Sequence, residues 1–122
     1  MSVMTPETIE AFLHAQVRHW NAGDKEGFFG IYRQVAPNGL QVEYVGRSTT
    51  DGWPILENMW QQQNAKFEVQ ELLLVVNGME AACHNINKVR GTATEIHTIE
   101  LYRFEQGKLL VRYFIQPPTS AA

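Results

Sequence analysis

Ile99-Glu-Leu-Tyr-Arg-Phe-Glu-Gln-Gly-Lys-Leu-Leu-Val-Arg-Tyr-Phe-Ile-Gln116 reads as two β-strands joined by a tight turn. Apolar and polar residues alternate on both sides of Glu105-Gln-Gly107, and Gly107 suits the left-handed position of a three-residue hairpin loop. That register sets Phe104 opposite Lys108, and so Glu100 opposite Arg112. The same strand pattern extends upstream. Phe67 to Val76, Met79 to Arg90 and Thr92 to Phe104 alternate between turns at Asn77-Gly78 and Arg90-Gly91, and Lys108 to Gln116 completes a set of four long antiparallel strands. Strands of this length twist and curl around whatever fills their concave side.

Ahead of the strands the period changes from two to 3.6. Thr5 can cap a helix, Pro6 suits its first turn, and Glu7 complements the dipole. Ile9, Phe12, Leu13, Val17 and Trp20 then form one apolar stripe, which ends at Asn21-Ala-Gly-Asp24. Asp24 caps a second helix carrying Phe28, Phe29, Ile31 and Tyr32. After a turn at Pro37-Asn-Gly39, Leu40 to Val45 alternates as a strand and Gly46 to Thr50 reads as loop. Asp51-Gly-Trp-Pro54 opens a third helix with Ile55, Leu56, Met59 and Trp60 on its buried side. Three helices ahead of a sheet make an α+β domain with helices packed on one face.

Composition narrows the function classes. At 122 residues the chain has the size of a single domain, and it buries roughly two-thirds of its unfolded surface. One domain spanning 1–122 is expected, with 117–122 as a loose tail after Pro117-Pro118. A net charge of −3, with ten basic residues spread along the chain, argues against nucleic acid as a partner. No apolar run has the roughly 20 residues of a transmembrane helix, and the N-terminus lacks the pattern of a secretion signal. A cytoplasmic location and no membrane partner are expected. Cys83 is the only cysteine, which excludes an internal disulfide and a Cys-based zinc site; a buried, inert thiol is expected. His14 and His19 lie five apart on helix one and share no face as metal ligands would. A two-residue turn at Arg90-Gly91 would set His84 opposite His97 on the outer face. Neither metal nor cofactor is expected.

Several of these residues together resemble the NTF2-like superfamily, which includes ketosteroid isomerases and SnoaL-like cyclases. The resemblance rests on the first helix running into Asn21-Ala-Gly-Asp24, on Val42-Glu43, on Gly52 leading into helix three, and on Ile99-Glu-Leu-Tyr-Arg-Phe104 followed by Gly107-Lys108. It implies a cone-shaped fold, in which three N-terminal helices pack on a strongly curved antiparallel sheet enclosing a pocket, and commonly a dimer. It also implies positions. The general-base Asp of the isomerases falls on Tyr44, a phenol that loses its proton only near about pH 10. Their oxyanion-hole Tyr falls on Gln16, their protonated Asp on Glu100, and a further pocket Tyr on Trp60. One of four positions keeps its chemistry, which disfavours steroid isomerisation by that mechanism.

The resemblance also turns Glu100 inward, and with it one face of the sheet: Cys83, Asn85 and Asn87, then Ile96, Thr98, Glu100 and Tyr102, then Leu110, Arg112, Phe114 and Gln116. Alternation alone nominates the opposite, more apolar face. With Glu100 inward, Ile99, Leu101, Val111, Tyr113 and Ile115 make an outer apolar patch, which predicts a homodimer through the sheet. The candidate site is then Glu100 and Tyr44 as catalytic groups, with Gln16, Trp20, Trp60, Asn85, Asn87, Thr98, Tyr102, Arg112, Phe114 and Gln116 as ligand contacts. The Glu100–Arg112 pair is either a structural ion pair or a charged site at the pocket floor. Two functions stand: a module binding a small, partly apolar molecule, and an enzyme of isomerase, cyclase or hydratase type using acid/base residues in the pocket.

Overall fold

The computed structural model of the protein describes residues 4–44, 47–49 and 51–117. The segment from Thr119 to Ala122, expected as a tail, lies outside them, as do Val45, Gly46 and Thr50. The elements run α1 (Pro6–Ala22), α2 (Lys25–Val35), β1 (Gly39–Tyr44), β2 (Arg47–Thr49), α3 (Trp53–Gln63), β3 (Phe67–Asn77), β4 (Glu80–Val89), β5 (Glu95–Glu105) and β6 (Lys108–Ile115).

Local chemistry explains the helix starts. Thr5 and Thr8 cap α1 reciprocally, each side chain accepting from the other's backbone N–H, with Pro6 in the first turn. Asp24 accepts from Gly27 N–H at the start of α2. The N-terminus of α3 lies hard against β1. A Cβ on Gly52 would stand 2.6 Å from Val42 Cγ2, and Gly52 N–H donates to Leu40 O. Only glycine allows that approach.

The described strands form one open sheet in the order β2-β1-β6-β5-β4-β3. It is mixed, because β1 runs parallel to β6 while all other neighbours are antiparallel. The all-antiparallel expectation is corrected on this point, and part of the stretch expected as loop is strand β2. A register shift between Glu71 and Leu73 marks a bulge in β3, which bends a strand locally. Helix α1 packs on β3 and α2, and α3 on β1. The core between these layers holds Ile9, Phe12 and Leu13 of α1, Tyr32 of α2, Leu40 and Val42 of β1, and Leu109 and Val111 of β6.

The β5–β6 hairpin differs from expectation by one residue. Glu105 pairs with Lys108, so the turn is two residues long, with both Gln106 (φ 54°) and Gly107 (φ 75°) left-handed. This conformation follows the strand twist. Glu100 therefore faces Tyr113, and Arg112 faces Leu101. In β6 the odd-numbered residues turn inward and the even-numbered ones outward.

Candidate functional site

Between α1, α2 and the inner face of the sheet lies a cavity of about 200 Å³. Its walls are apolar and aromatic, from Trp20, Phe28, Tyr44, Val69, Tyr113 and Ile115; Gln16, Asn85, Asn87, Thr98 and Glu100 supply polar lining. Alternation along β4 and β5 delivers Asn85, Asn87, Thr98 and Glu100 to one face, because side chains repeat with period two. Gln16 arrives from α1, where it interrupts an otherwise apolar stripe.

These polar groups form one directed hydrogen-bond chain. The Tyr32 hydroxyl donates to Gln16 Oε1, and Gln16 Nε2 donates to the Tyr102 hydroxyl at 2.8 Å. Tyr102 donates in turn to Glu100 Oε1 at 2.7 Å. On the other carboxyl oxygen, Thr98 Oγ1 donates at 3.0 Å and Asn85 Nδ2 at 3.3 Å, while Asn87 Nδ2 donates to Thr98 Oγ1 at 3.1 Å. Every donor points towards Glu100, which is 8% exposed. No Lys, Arg or His lines the cavity among the described residues.

Burial is the main force on the Glu100 carboxyl and raises its pKa above the ordinary value of 4.5; the bonds from Tyr102, Thr98 and Asn85 work in the opposite direction, and the charge of Glu71 adds to the rise. Burial likewise raises the Tyr32, Tyr102 and Tyr113 phenols and pushes the Cys83 thiol up to about 12. Cys83 is thus a buried thiol held in its protonated form, as its sequence context suggests.

The structure brings together most of the residues chosen from the sequence. Tyr44, Gln16, Trp20, Asn85, Asn87, Thr98 and Glu100 border the cavity. Tyr102 stands behind the floor and reaches it through Glu100 and Gln16. Four placements are corrected. Trp60 packs its ring against Trp20, Phe28 and Phe29, at centroid distances of 5.1, 5.1 and 6.3 Å, and does not border the cavity. Arg112, Phe114 and Gln116 lie on the outer face because of the two-residue turn. The Arg112 side chain pairs with Glu43 of β1 and stacks over Phe114, and no Glu100–Arg112 pair exists. The Gln116 side chain accepts from the backbone N–H of His97. The outer apolar patch changes with it: Val111, Tyr113 and Ile115 turn inward, and Leu73, Val75, Ile99 and Phe114, each between 42% and 60% exposed, stand outside.

Sequence reasoning missed Tyr32 and Tyr113. Tyr32 carries a signal, since a tyrosine on the buried stripe of a helix needs a partner for its hydroxyl. Tyr113 was hidden by the register. His84 pairs in register with Ile99, and His97 with Ile86, because the β4–β5 connection is longer than two residues, with Lys88 opposite Glu95. The two rings still meet diagonally, Nε2 to Nδ1 at 2.8 Å. Among the described residues no group of three or more His, Cys, Asp or Glu side chains is arranged to hold a metal ion, and no helix is long and apolar enough to cross a membrane.

No protein-family profile matches the sequence, and no curated protein matches it. Solved structures do match in fold. An NTF2-like protein of unknown function from Burkholderia xenovorans LB400 superimposes with a TM-score of 0.73 at 15% identity, covering 95% of this chain and 88% of that one. A protein provisionally described as a SnoaL-like polyketide cyclase, from Jannaschia sp. CCS1, gives 0.70 at 14% identity, over 95% and 90% of the two chains. One provisionally described as a ketosteroid isomerase, from Kribbella flavida DSM 17836, gives 0.72 at 14%, over 98% and 87%. At these identities the likeness concerns the fold: this chain has the NTF2-like α+β cone, a scaffold that by itself assigns no activity.

Proposed function

We propose that the cone cavity binds a small, uncharged, largely apolar molecule whose polar end meets Glu100. The observation that carries this reading is a buried carboxyl held by neutral donors, with no cation in the lining among the residues whose side chains are described. An anionic ligand would meet that carboxyl without any compensating charge. The volume of about 200 Å³ is below the roughly 300–1,000 Å³ of sites for drug-sized ligands, which favours a molecule of about one ring. The test uses toluene, 4-methylphenol and 4-methylbenzoate, followed by NMR shifts of Ile96 and Ile115. The two neutral compounds shift both residues and the carboxylate does not. Equal binding of 4-methylbenzoate, or no response to any of the three, overturns the reading.

The raised Glu100 pKa favours a second reading, acid/base chemistry on the bound molecule. A carboxyl that burial makes slower to release its proton can give it to a carbonyl or enolate oxygen and take it back. Tyr44, on the same cavity wall, would then orient the substrate.

The proposal includes a homodimer through the outer face of the sheet. Leu73, Val75, Ile99, Leu101 and Phe114 run across β3, β5 and β6, a larger apolar surface than a lone chain commonly leaves in water, and an identical patch on a second copy would cover it about a two-fold axis. Sedimentation at micromolar concentration is expected to give twice 13.9 kDa; the mass of one chain overturns it.

A further inference from the structure

The polar floor has one loose end. Among the described residues, Asn85 Oδ1 is the buried side-chain oxygen or nitrogen atom with no hydrogen-bond partner. Asn85 is 3% exposed and lines the cavity. Buried acceptors without partners are rare, because burial removes water and supplies nothing in its place. The neighbouring Thr98 hydroxyl, Tyr102 hydroxyl and Glu100 carboxyl oxygens all have partners.

The orientation of the amide follows from its neighbours. Asn85 Nδ2 faces Glu100 Oε2, which already accepts from Thr98 Oγ1. Against an ionised Glu100, turning the amide over would set Oδ1 on an oxygen that can only accept. The oxygen therefore points away from Glu100. The bond that holds Nδ2 is long, at 3.3 Å, and the terminal torsion of an Asn side chain is broad. A turn of the amide about that torsion is the movement that would carry Oδ1 to a ligand in the cavity.

On the reading that this cavity binds a small neutral molecule, we infer that its ligand carries a hydroxyl or N–H group, which donates to Asn85 Oδ1. Asn85 thereby sets specificity: it selects ring compounds with a hydrogen-bond donor, such as phenols, enols and lactams, over isosteres that only accept. Asn85 Nδ2, Thr98 Oγ1 and the Tyr102 hydroxyl are spent on Glu100, and an acceptor-only ligand leaves Oδ1 unpaired as before.

Three probes of similar size test this: 4-methylphenol, which donates and accepts; 4-methylbenzaldehyde, which only accepts; and 4-fluorotoluene, which does neither well. Affinities are read from NMR titration of the intact chain at pH 7. The wild type is expected to bind 4-methylphenol about tenfold or more tightly than either of the others, since an unpaired buried acceptor costs about that factor or more. Asn85→Leu, close in size, is expected to bring the three affinities within about twofold of each other. If thermal melting shows that Asn85→Leu does not fold, Asn85→Ala replaces it, and the wild-type comparison stands without either variant. Equal or tighter binding of 4-methylbenzaldehyde by the wild type, or a preference for 4-methylphenol that survives at position 85 without the amide, overturns the inference and leaves the binding pocket intact. Binding of none of the three removes both.

Discussion

Two carboxylates on neighbouring parts of the same sheet are handled in opposite ways. Glu43, on the outer face, is paired with the Arg112 guanidinium in a half-exposed contact. Glu100, on the inner face, is buried among a phenol, a hydroxyl and an amide. The first keeps both water and a counter-charge beside it. Around the second, neutral dipoles return only part of the solvation lost, so its proton is held more tightly. One residue of register decides which carboxylate receives the arginine. Across β1 and β6 the ion pair thus lies outside, while around Glu100 the partners are dipoles.

The largest expected effect tests that register directly. Leu109 (1% exposed) and Leu110 are adjacent, and the two-residue turn puts the first inside and the second outside. Leu109→Ala is expected to cost about 2–5 kcal/mol in chemical denaturation, and Leu110→Ala about 1 kcal/mol or less. The reverse order would restore the three-residue loop and return Arg112 to the pocket.

Next in size is the pH response of Glu100. Its pKa is raised on folding, so over a range above 4.5 the folded chain keeps a proton that the unfolded chain has released. The stability this group contributes is complete below the unfolded value and is lost as pH rises through the folded one. Glu100→Gln removes the response. The stability of the Gln variant relative to wild type is expected to climb with pH across that range, by about 1.4 kcal/mol per unit of pKa shift. A difference that stays level from pH 4 to pH 8 would mean that folding does not raise the Glu100 pKa.

The smallest effect lies on the outer face. Arg112→Met is expected to change stability by about 1 kcal/mol or less, with the change fading in high salt, and to leave the uptake of 4-methylphenol unaltered. A loss of ligand binding in this variant would erase the contrast between the faces.

The helices were legible from the sequence because their signals are local: Thr5 and Pro6 start α1, Asp24 starts α2, and Gly52 approaches β1 where no side chain fits. The inner faces of β4 and β5 were legible through Glu100. Strand β6 was misread through its turn. Gln106 is a non-glycine residue in the left-handed region, and Glu-Gln-Gly lacks the Asn-Gly or Asp-Gly pair that marks a two-residue hairpin. The apolar alternation of Leu109, Val111, Tyr113 and Ile115 had named the inner face of β6 correctly. Locking the strand to Glu100 with a loop one residue too long overrode it. Other features carry no local signal at all. The parallel pairing of β1 with β6 joins residues far apart in sequence, and Trp60 left the pocket wall because three aromatic neighbours offered a better contact than the cavity did.

Gln16 occupies the middle of the chain from Tyr32 to Glu100. A hydroxyl in that place could hand a proton along, but a carboxamide links donor to acceptor through two different atoms and has no proton to pass on at ordinary pH. The link therefore transmits orientation and blocks conduction. A proton that Glu100 gives up has no relay through Gln16 to Tyr32 and α2.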